Sequence, residues 1–339
     1  MNMRIGLIDV DSHNFPNLPL MKLSAWHKRQ GDSVEWYESL LHGAGEPLDK
    51  VYMSKVFSDE YTQDYPFYVN AKEVVKGGTG YCISVADGKE VFDKSRNFNL
   101  SDEAEHIYPD YGLYPQYTKD TAYGFLTRGC CNNCSFCIVS KKEGLCSHKV
   151  ADLPEFWRGQ RNIKLLDPNI LACKDHMELL QQLADSEAKV DFTQGLDARF
   201  ITEKNAELLS RIRISTVHFA FDFMRNEKLI LKGLKTAKDI MDIPEYKESV
   251  YVLTNYDTTI EQDLYRIEKI REVGFRADVR IYRKNALPRR SVLRDLQRWC
   301  NNRILYSSCA FMDYIPRSDG MTIRNIYFGG KKCRTMTLI

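Results

Sequence analysis

The segment Tyr123-Gly-Phe-Leu-Thr-Arg-Gly-Cys130-Cys131-Asn-Asn-Cys134-Ser-Phe136-Cys137-Ile138 places four cysteines within eight positions, directly after a short apolar run. Thiolates this close repel one another unless a soft cation holds them, and iron-sulfur clusters and zinc are the usual occupants. Two registers are open. From Cys131 the pattern is C-x2-C-x2-C, the start of a ferredoxin-type run, which needs a fourth cysteine after three more residues and then proline. Positions 141 and 142 are Lys141 and Lys142, so that run lacks its last ligand. From Cys130 the pattern is C-x3-C-x2-C. Structural zinc takes four ligands, usually as two separated pairs, and the nearest further thiol is Cys146. A non-enzymatic zinc-binding or ferredoxin-like electron-transfer protein is therefore the competing class.

Working outward, the chain has 339 residues, enough for two ordinary domains and a sizeable core. Apolar residues make up 43% and charged residues 28%, the balance of a globular protein. A net charge of +2 gives no global case for nucleic acid or an anionic membrane. The basic residues Arg276, Arg280, Arg283, Lys284, Arg289, Arg290, Arg294 and Arg298 stand among acids such as Asp278 and Asp295, as on a solvated helix face, with a patch that tracks the phosphates of RNA or of a phosphorylated substrate as the alternative. The first residues run straight into an apolar strand pattern without a cleavable signal, and no apolar run is long enough to span a bilayer. The expectation is a cytoplasmic protein without a membrane partner, its ten cysteines reduced or bound to metal.

Residues 1–105 read as a small doubly wound, Rossmann- or flavodoxin-like α/β domain. Arg4 to Val10, Ser33 to Tyr37, Val51 to Phe57 and Glu73 to Val75 have strand patterns, and Leu20 to Arg29 is helical with Gly31 as its cap. Residues 106–122, with two prolines and four tyrosines, read as a linker. From Tyr123 strand and helix patterns alternate. Strand candidates are Tyr123 to Thr127, Ile163 to Leu166, Val190 to Gln194, Val217 to Phe221, Ser249 to Leu253 and Ala277 to Tyr282. Amphipathic stretches cover 175–186, 203–212, 225–241, 260–273 and 290–300, the fourth with a Thr258-x-x-Glu261 capping box and Gly274 beyond its end. Such a repeat builds a parallel sheet that right-handed crossovers curl into a partial (β/α)6 barrel of the TIM type over 123–290. Residues 291–339 form a small C-terminal extension. Cys146, Cys173, Cys300, Cys309 and Cys333 contain no close pair and give no auxiliary cluster.

The Cys130, Cys134 and Cys137 register, with Phe136 before the last cysteine and the loop directly after the first barrel strand, resembles the signature of the radical S-adenosylmethionine (radical SAM) superfamily. The resemblance implies a 4Fe-4S cluster on these three thiolates, with one iron open to S-adenosylmethionine. It implies reductive cleavage of that molecule to a 5'-deoxyadenosyl radical, fed by an electron donor such as flavodoxin or ferredoxin. By the same resemblance the strand ends supply the S-adenosylmethionine contacts. Asp167 and Asn169 stand where the family has a Gly-Gly-Glu motif, Arg199 would clamp the carboxylate, Asp222 would meet the ribose, and Asn255 follows the fifth strand. A second resemblance lies in residues 1–105. Asp11 and His13, Ser54, and Gly77 with Gly78 follow the order of cobalamin-binding domains, in which the histidine ligates cobalt and the aspartate holds its other ring nitrogen. Pro16 and Val56 depart from that pattern, and an inherited fold without cobalamin is the alternative. Methyl transfer follows if cobalamin binds and hydrogen abstraction if it does not; the substrate is not written in these residues.

Overall fold

The computed structural model describes residues 2–86 and 89–329, so Cys333 and Gly330 lie outside the described residues. The chain divides into two compact units, Met1–Gln194 with Arg211–Ser215, and Gly195–Ser210 with Thr216–Ile339.

The first unit opens with β1 (Arg4–Asp9), α1 (Leu18–Gln30), β2 (Ser33–Trp36), the single turn α2 (Ser39–His42), β3 (Leu48–Ser54) and β4 (Ala71–Gly77). These strands pair in parallel in the order β2-β1-β3-β4. That is the flavodoxin-like order, whose ligands bind beyond the carboxyl ends of the strands where β1 and β3 diverge. The helix α1 starts where Asn17 accepts from the Leu20 amide at 3.3 Å and stops at Gly31, whose φ of 86° suits glycine. Its Leu20 packs on Ile5 and Leu7. On the other side, Ile8, Val51 and Met53 are covered by Tyr37 and Tyr81, so rings from loops take the place of a second helical layer.

A hairpin of β5 (Ile83–Ala86) and β6 (Lys89–Phe92) follows, with α3 (Asp102–Glu105) and α4 (Pro115–Thr118) in the run toward the larger sheet. Both hairpin strands have four residues, too short to give a strand period in the sequence. The unit continues with β7 (Thr121–Gly124), β8 (Thr127–Arg128), α5 (Val139–Glu143), β9 (His148–Lys149), β10 (Asn162–Leu165), α6 (His176–Asp185) and β11 (Lys189–Phe192). Then come α7 (Glu203–Arg211), β12 (Arg213–Ala220), α8 (Glu227–Met241), β13 (Glu248–Thr254), α9 (Ile260–Glu272), β14 (Ala277–Ile281), α10 (Val292–Asn301), α11 (Arg303–Ser308) and α12 (Ile323–Phe328). The larger sheet is six-stranded in the order β14-β13-β12-β11-β10-β7, with β12 giving Arg213–Ser215 to the first unit and its remainder to the second. Its edges are β7 and β14, so it is an open sheet of the expected strand count.

In the second unit α9 carries its capping box one residue later than the sequence suggests. Thr259 pairs with Gln262, while Thr258 donates to Asp263 at 2.6 Å. One turn further on, the fully buried Arg266 gathers the carboxyl ends of β12 and β13. Its guanidinium donates to the carbonyls of Phe221 at 2.6 Å, Asp222 at 2.9 Å and Leu253 at 2.8 Å, and pairs with Asp263 at 2.6 Å. Removing one member of a buried pair leaves the other charge uncompensated and costs about 3–5 kcal/mol. Arg266→Met is expected to lower the unfolding free energy by an amount in that range, seen as a lower denaturant midpoint, and Arg266→Met with Asp263→Leu to recover part of it. A midpoint unchanged in the single variant contradicts this role.

Candidate metal centre

The cysteine loop leaves the carboxyl end of β7, and its stem is fixed before the first cysteine. Asp167, just beyond β10 and 4% exposed, accepts from the Leu126 amide at 3.1 Å, the Thr127 amide at 2.5 Å and the Thr127 hydroxyl at 2.7 Å. Burial pushes its carboxyl up to about 6, and the three donors oppose that shift. Next, β8 pairs antiparallel with β9, Thr127 opposite Lys149 and Arg128 opposite His148, which closes the base of the loop. Gly129 has φ 81°, and a Cβ there would meet the Cys146 carbonyl at 2.2 Å, so only glycine admits the crossing. Glu143 accepts from the Gly129 amide at 3.1 Å, and the Cys130 amide donates to the Gly144 carbonyl at 3.2 Å.

Within this frame Cys130, Cys134 and Cys137 are half-buried, while Cys131 and Cys146 are exposed. Among the described residues no three Cys, His, Asp or Glu side chains already form a metal cage. The donor chemistry nevertheless suits a thiolate-bound cluster. Cys130 Sγ accepts from the Asn132 amide at 3.4 Å and from Asn169 Nδ2 at 3.6 Å. Burial, with the nearby Cys130 and Glu143, pushes the Cys137 thiol up. Cys173 and Cys300 are buried, and burial pushes both thiols up.

The other predicted contacts are placed as follows. Asn169 lies against the cysteine loop, touching Cys130, and Asp167 braces its stem. In the second unit Arg199 forms a two-pronged pair with Asp197, Nε to Oδ1 at 2.9 Å and Nη2 to Oδ2 at 2.6 Å. Asp222 accepts from the Leu253 amide at 2.9 Å, which ties the end of β12 to β13. Asn255, at φ 63°, donates to the Tyr282 carbonyl at 2.8 Å beyond β14.

In the N-terminal sheet, Asp11, His13 and Ser54 stand at the divergence of β1 and β3, the ligand position of this topology. The axial pair does not fit the cobalamin pattern. Asp11 is 1% exposed, and its two oxygens accept from the Val56 amide at 2.8 Å and the Phe57 amide at 2.7 Å, while His13 is exposed and linked to Asp11 through backbone alone. Gly77 has open space around it, whereas Gly78 has φ 95° and a Cβ there would meet the Lys55 carbonyl at 2.3 Å. The glycine-rich turn they begin is tied to the helix after the cysteine loop by Lys142, which donates to Thr79 at 2.7 Å.

Sequence patterns gave no sign of a polar sheet face. Parallel sheets are ordinarily covered on both faces and apolar throughout. Here one face carries Ile163, Leu165, Val190 and Phe192 in the first unit, and Val217, Phe219, Val250 and Val252 in the second, all buried. Several alternate residues are polar or aromatic. Lys164 stands in register with Tyr123 and Asp191 in the first unit. In the second, His218 stacks on Tyr251 with ring centroids 4.6 Å apart, and the Arg280 guanidinium lies 4.5 Å from the same ring.

No family model and no curated protein matches the sequence. Among solved structures the fold is similar to that of the radical S-adenosylmethionine methyltransferase TsrM from Kitasatospora setae. The form with cobalamin and a 4Fe-4S cluster bound gives a TM-score of 0.55 at 11% identity, over 83% of this chain and 75% of that one. The form with tryptophan substrate and an S-adenosylmethionine analogue gives 0.60 at 12% identity, over 82% and 73%. The likeness is one of fold. It agrees with the two-part α/β architecture expected from the sequence, and no helix among the described residues is long and apolar enough to cross a membrane.

Two outcomes follow for Asp167. Asp167→Ala leaves two buried amides and a hydroxyl without their acceptor, at about 1–3 kcal/mol for each group that water does not reach, and is expected to lower both the denaturant midpoint and the iron bound after reconstitution. Because the folded pKa of about 6 lies above the ordinary aspartate value, the folded protein takes up a proton as pH falls through that interval. Wild-type stability should therefore rise relative to Asp167→Asn between pH 7 and pH 5. Parallel pH profiles for the two proteins would refute that assignment.

Proposed function

We propose that the protein is a radical SAM enzyme whose Cys130, Cys134 and Cys137 hold a 4Fe-4S cluster. The observation that carries this reading is the cysteine loop itself, anchored by Asp167 at the carboxyl end of β7 and presenting three half-buried thiols. A cluster held by three protein thiolates keeps one iron open, and when bound it supplies the electron that cleaves the sulfonium of S-adenosylmethionine. The chain's own residues do the rest. Asn132 and Asn169 donate to the Cys130 sulfur, and Gly129 lets the loop cross its own exit. In the second unit the loops after β12 and β13 are held by Asp222, Arg266 and Asn255. The polar sheet face around His218, Tyr251 and Arg280 suits a polar substrate with a planar group. An electron donor of the flavodoxin or ferredoxin kind completes the requirement.

Methyl transfer with a corrinoid is the second reading. It is favoured by the β2-β1-β3-β4 order and by the fold shared with a cobalamin-bound methyltransferase. A corrinoid seated there would not draw its axial nitrogen from an Asp11–His13 pair, because Asp11 already holds the β3 loop.

Anaerobic reconstitution with iron and sulfide, then dithionite and S-adenosylmethionine, tests the first reading. The wild type should form a brown cluster and release 5'-deoxyadenosine. Cys130→Ala should lose the cluster, and Cys131→Ala should keep it. A protein that binds no cluster, or whose cluster yields no 5'-deoxyadenosine, is not a radical SAM enzyme. Hydroxocobalamin added before gel filtration tests the second reading. Retention should be equal in the wild type and in His13→Ala, and a corrinoid absorbance that depends on His13 would restore the axial role.

A further inference from the structure

A chain of alternating charges runs through the first unit from α1 to the stem of the cysteine loop. Lys22 on α1 bonds Glu105 on α3 at 2.8 Å. Glu105 faces Arg128 on β8 at 3.5 Å, and Arg128 bonds Glu143 on α5 at 3.0 Å. Glu143 in turn accepts from the Gly129 amide, whose neighbour is Cys130. The four side chains are 12%, 27%, 28% and 14% exposed, so water screens them incompletely. The Arg128 guanidinium also lies 3.9 Å from the centroid of Phe125, which fixes its plane. Closing the loop requires only an acceptor at position 143. Four charges in series, with the negative member at the thiols, do something more.

Resting on the reading of Cys130, Cys134 and Cys137 as cluster ligands, the geometry points to Glu143 and Arg128 as positioning residues that set the cluster's reduction potential. Glu143 places a carboxylate at the base of the loop, and Arg128 partly neutralises it. Potentials of iron-sulfur clusters respond to net charge, to hydrogen bonds at the sulfurs and to solvent exposure. A negative charge at this position disfavours the added electron, and the neighbouring guanidinium limits that effect. Glu105 and Lys22 extend the balance to α1, so a change of charge there reaches the cluster with diminished size.

The experiment is a potentiometric titration of the reconstituted full chain, followed by the electron paramagnetic resonance of the reduced cluster. In Glu143→Gln, which keeps an acceptor for the Gly129 amide, the reduced-to-oxidised ratio at a fixed ambient potential should rise about tenfold, about 59 mV for a one-electron couple. In Arg128→Gln it should fall by a similar factor. The double variant should return to within about twofold of wild type, since it restores the balance of charge. If Glu143→Gln does not fold, Glu105→Gln tests the same sign with a smaller rise. Single variants that shift the ratio in one common direction, as general loosening of the loop would cause, overturn the inference. So do single variants that leave it at the wild-type value. A wild type that assembles no cluster sinks the proposed function and this inference with it. A wild type that assembles one while the variants show no opposed shifts leaves the function standing and removes only the inference.

Discussion

The carboxylate of Asp167 joins the end of β10 to Leu126 and Thr127, just beyond the neighbouring β7 strand. It has almost no contact with water, and its hydrogen-bond donors offset part of the cost of its burial. That arrangement makes the direction in which the chain exits β7 a property of the sheet and not of the loop. The antiparallel closure of β8 on β9, the glycine crossing at Gly129 and the placement of three thiols all inherit that direction. A metal centre built on a loop needs such support, because ligands held by a mobile segment bind poorly and in several geometries.

The same device recurs at other strand ends. Asp11 ties the end of β1 to the residues after β3, Asp222 ties the end of β12 to β13, and Asn255 reaches a carbonyl beyond β14. Arg266 does the reverse job from beneath, satisfying carbonyls with a buried cation. Loops at the carboxyl ends of parallel strands thus have their backbones fixed by polar side chains. Fixed dipoles of that kind need little rearrangement when a charged molecule arrives.

Much of this was legible in the sequence. The alternation from Tyr123 onward marks each strand of the larger sheet to within a few residues, because buried parallel strands are short apolar runs and their helices are amphipathic. Gly31 and Gly274 mark helix ends because both require positive φ. The cysteine spacing is local and needs no tertiary knowledge. The partners of Asp11, Asp167 and Asp222 were not legible. Each accepts from backbone amides more than thirty residues away, and an amide donor leaves no trace in residue type. The charge chain through Arg128 and Glu143 escaped for the same reason, since its members come from four separate elements. In β10 and β11 the polar face was hidden because strands of four residues show too few alternations to separate two faces.

The central claim is that three cysteines on a loop fixed by Asp167 leave one iron of a cluster open for S-adenosylmethionine. Electron paramagnetic resonance of the dithionite-reduced, reconstituted protein, recorded with and without S-adenosylmethionine, tests it most directly. An open iron that takes a new ligand should change the g-values of the reduced cluster when S-adenosylmethionine is added. A reduced cluster whose spectrum is identical in its presence and absence would mean that no iron is open, and the account would be wrong.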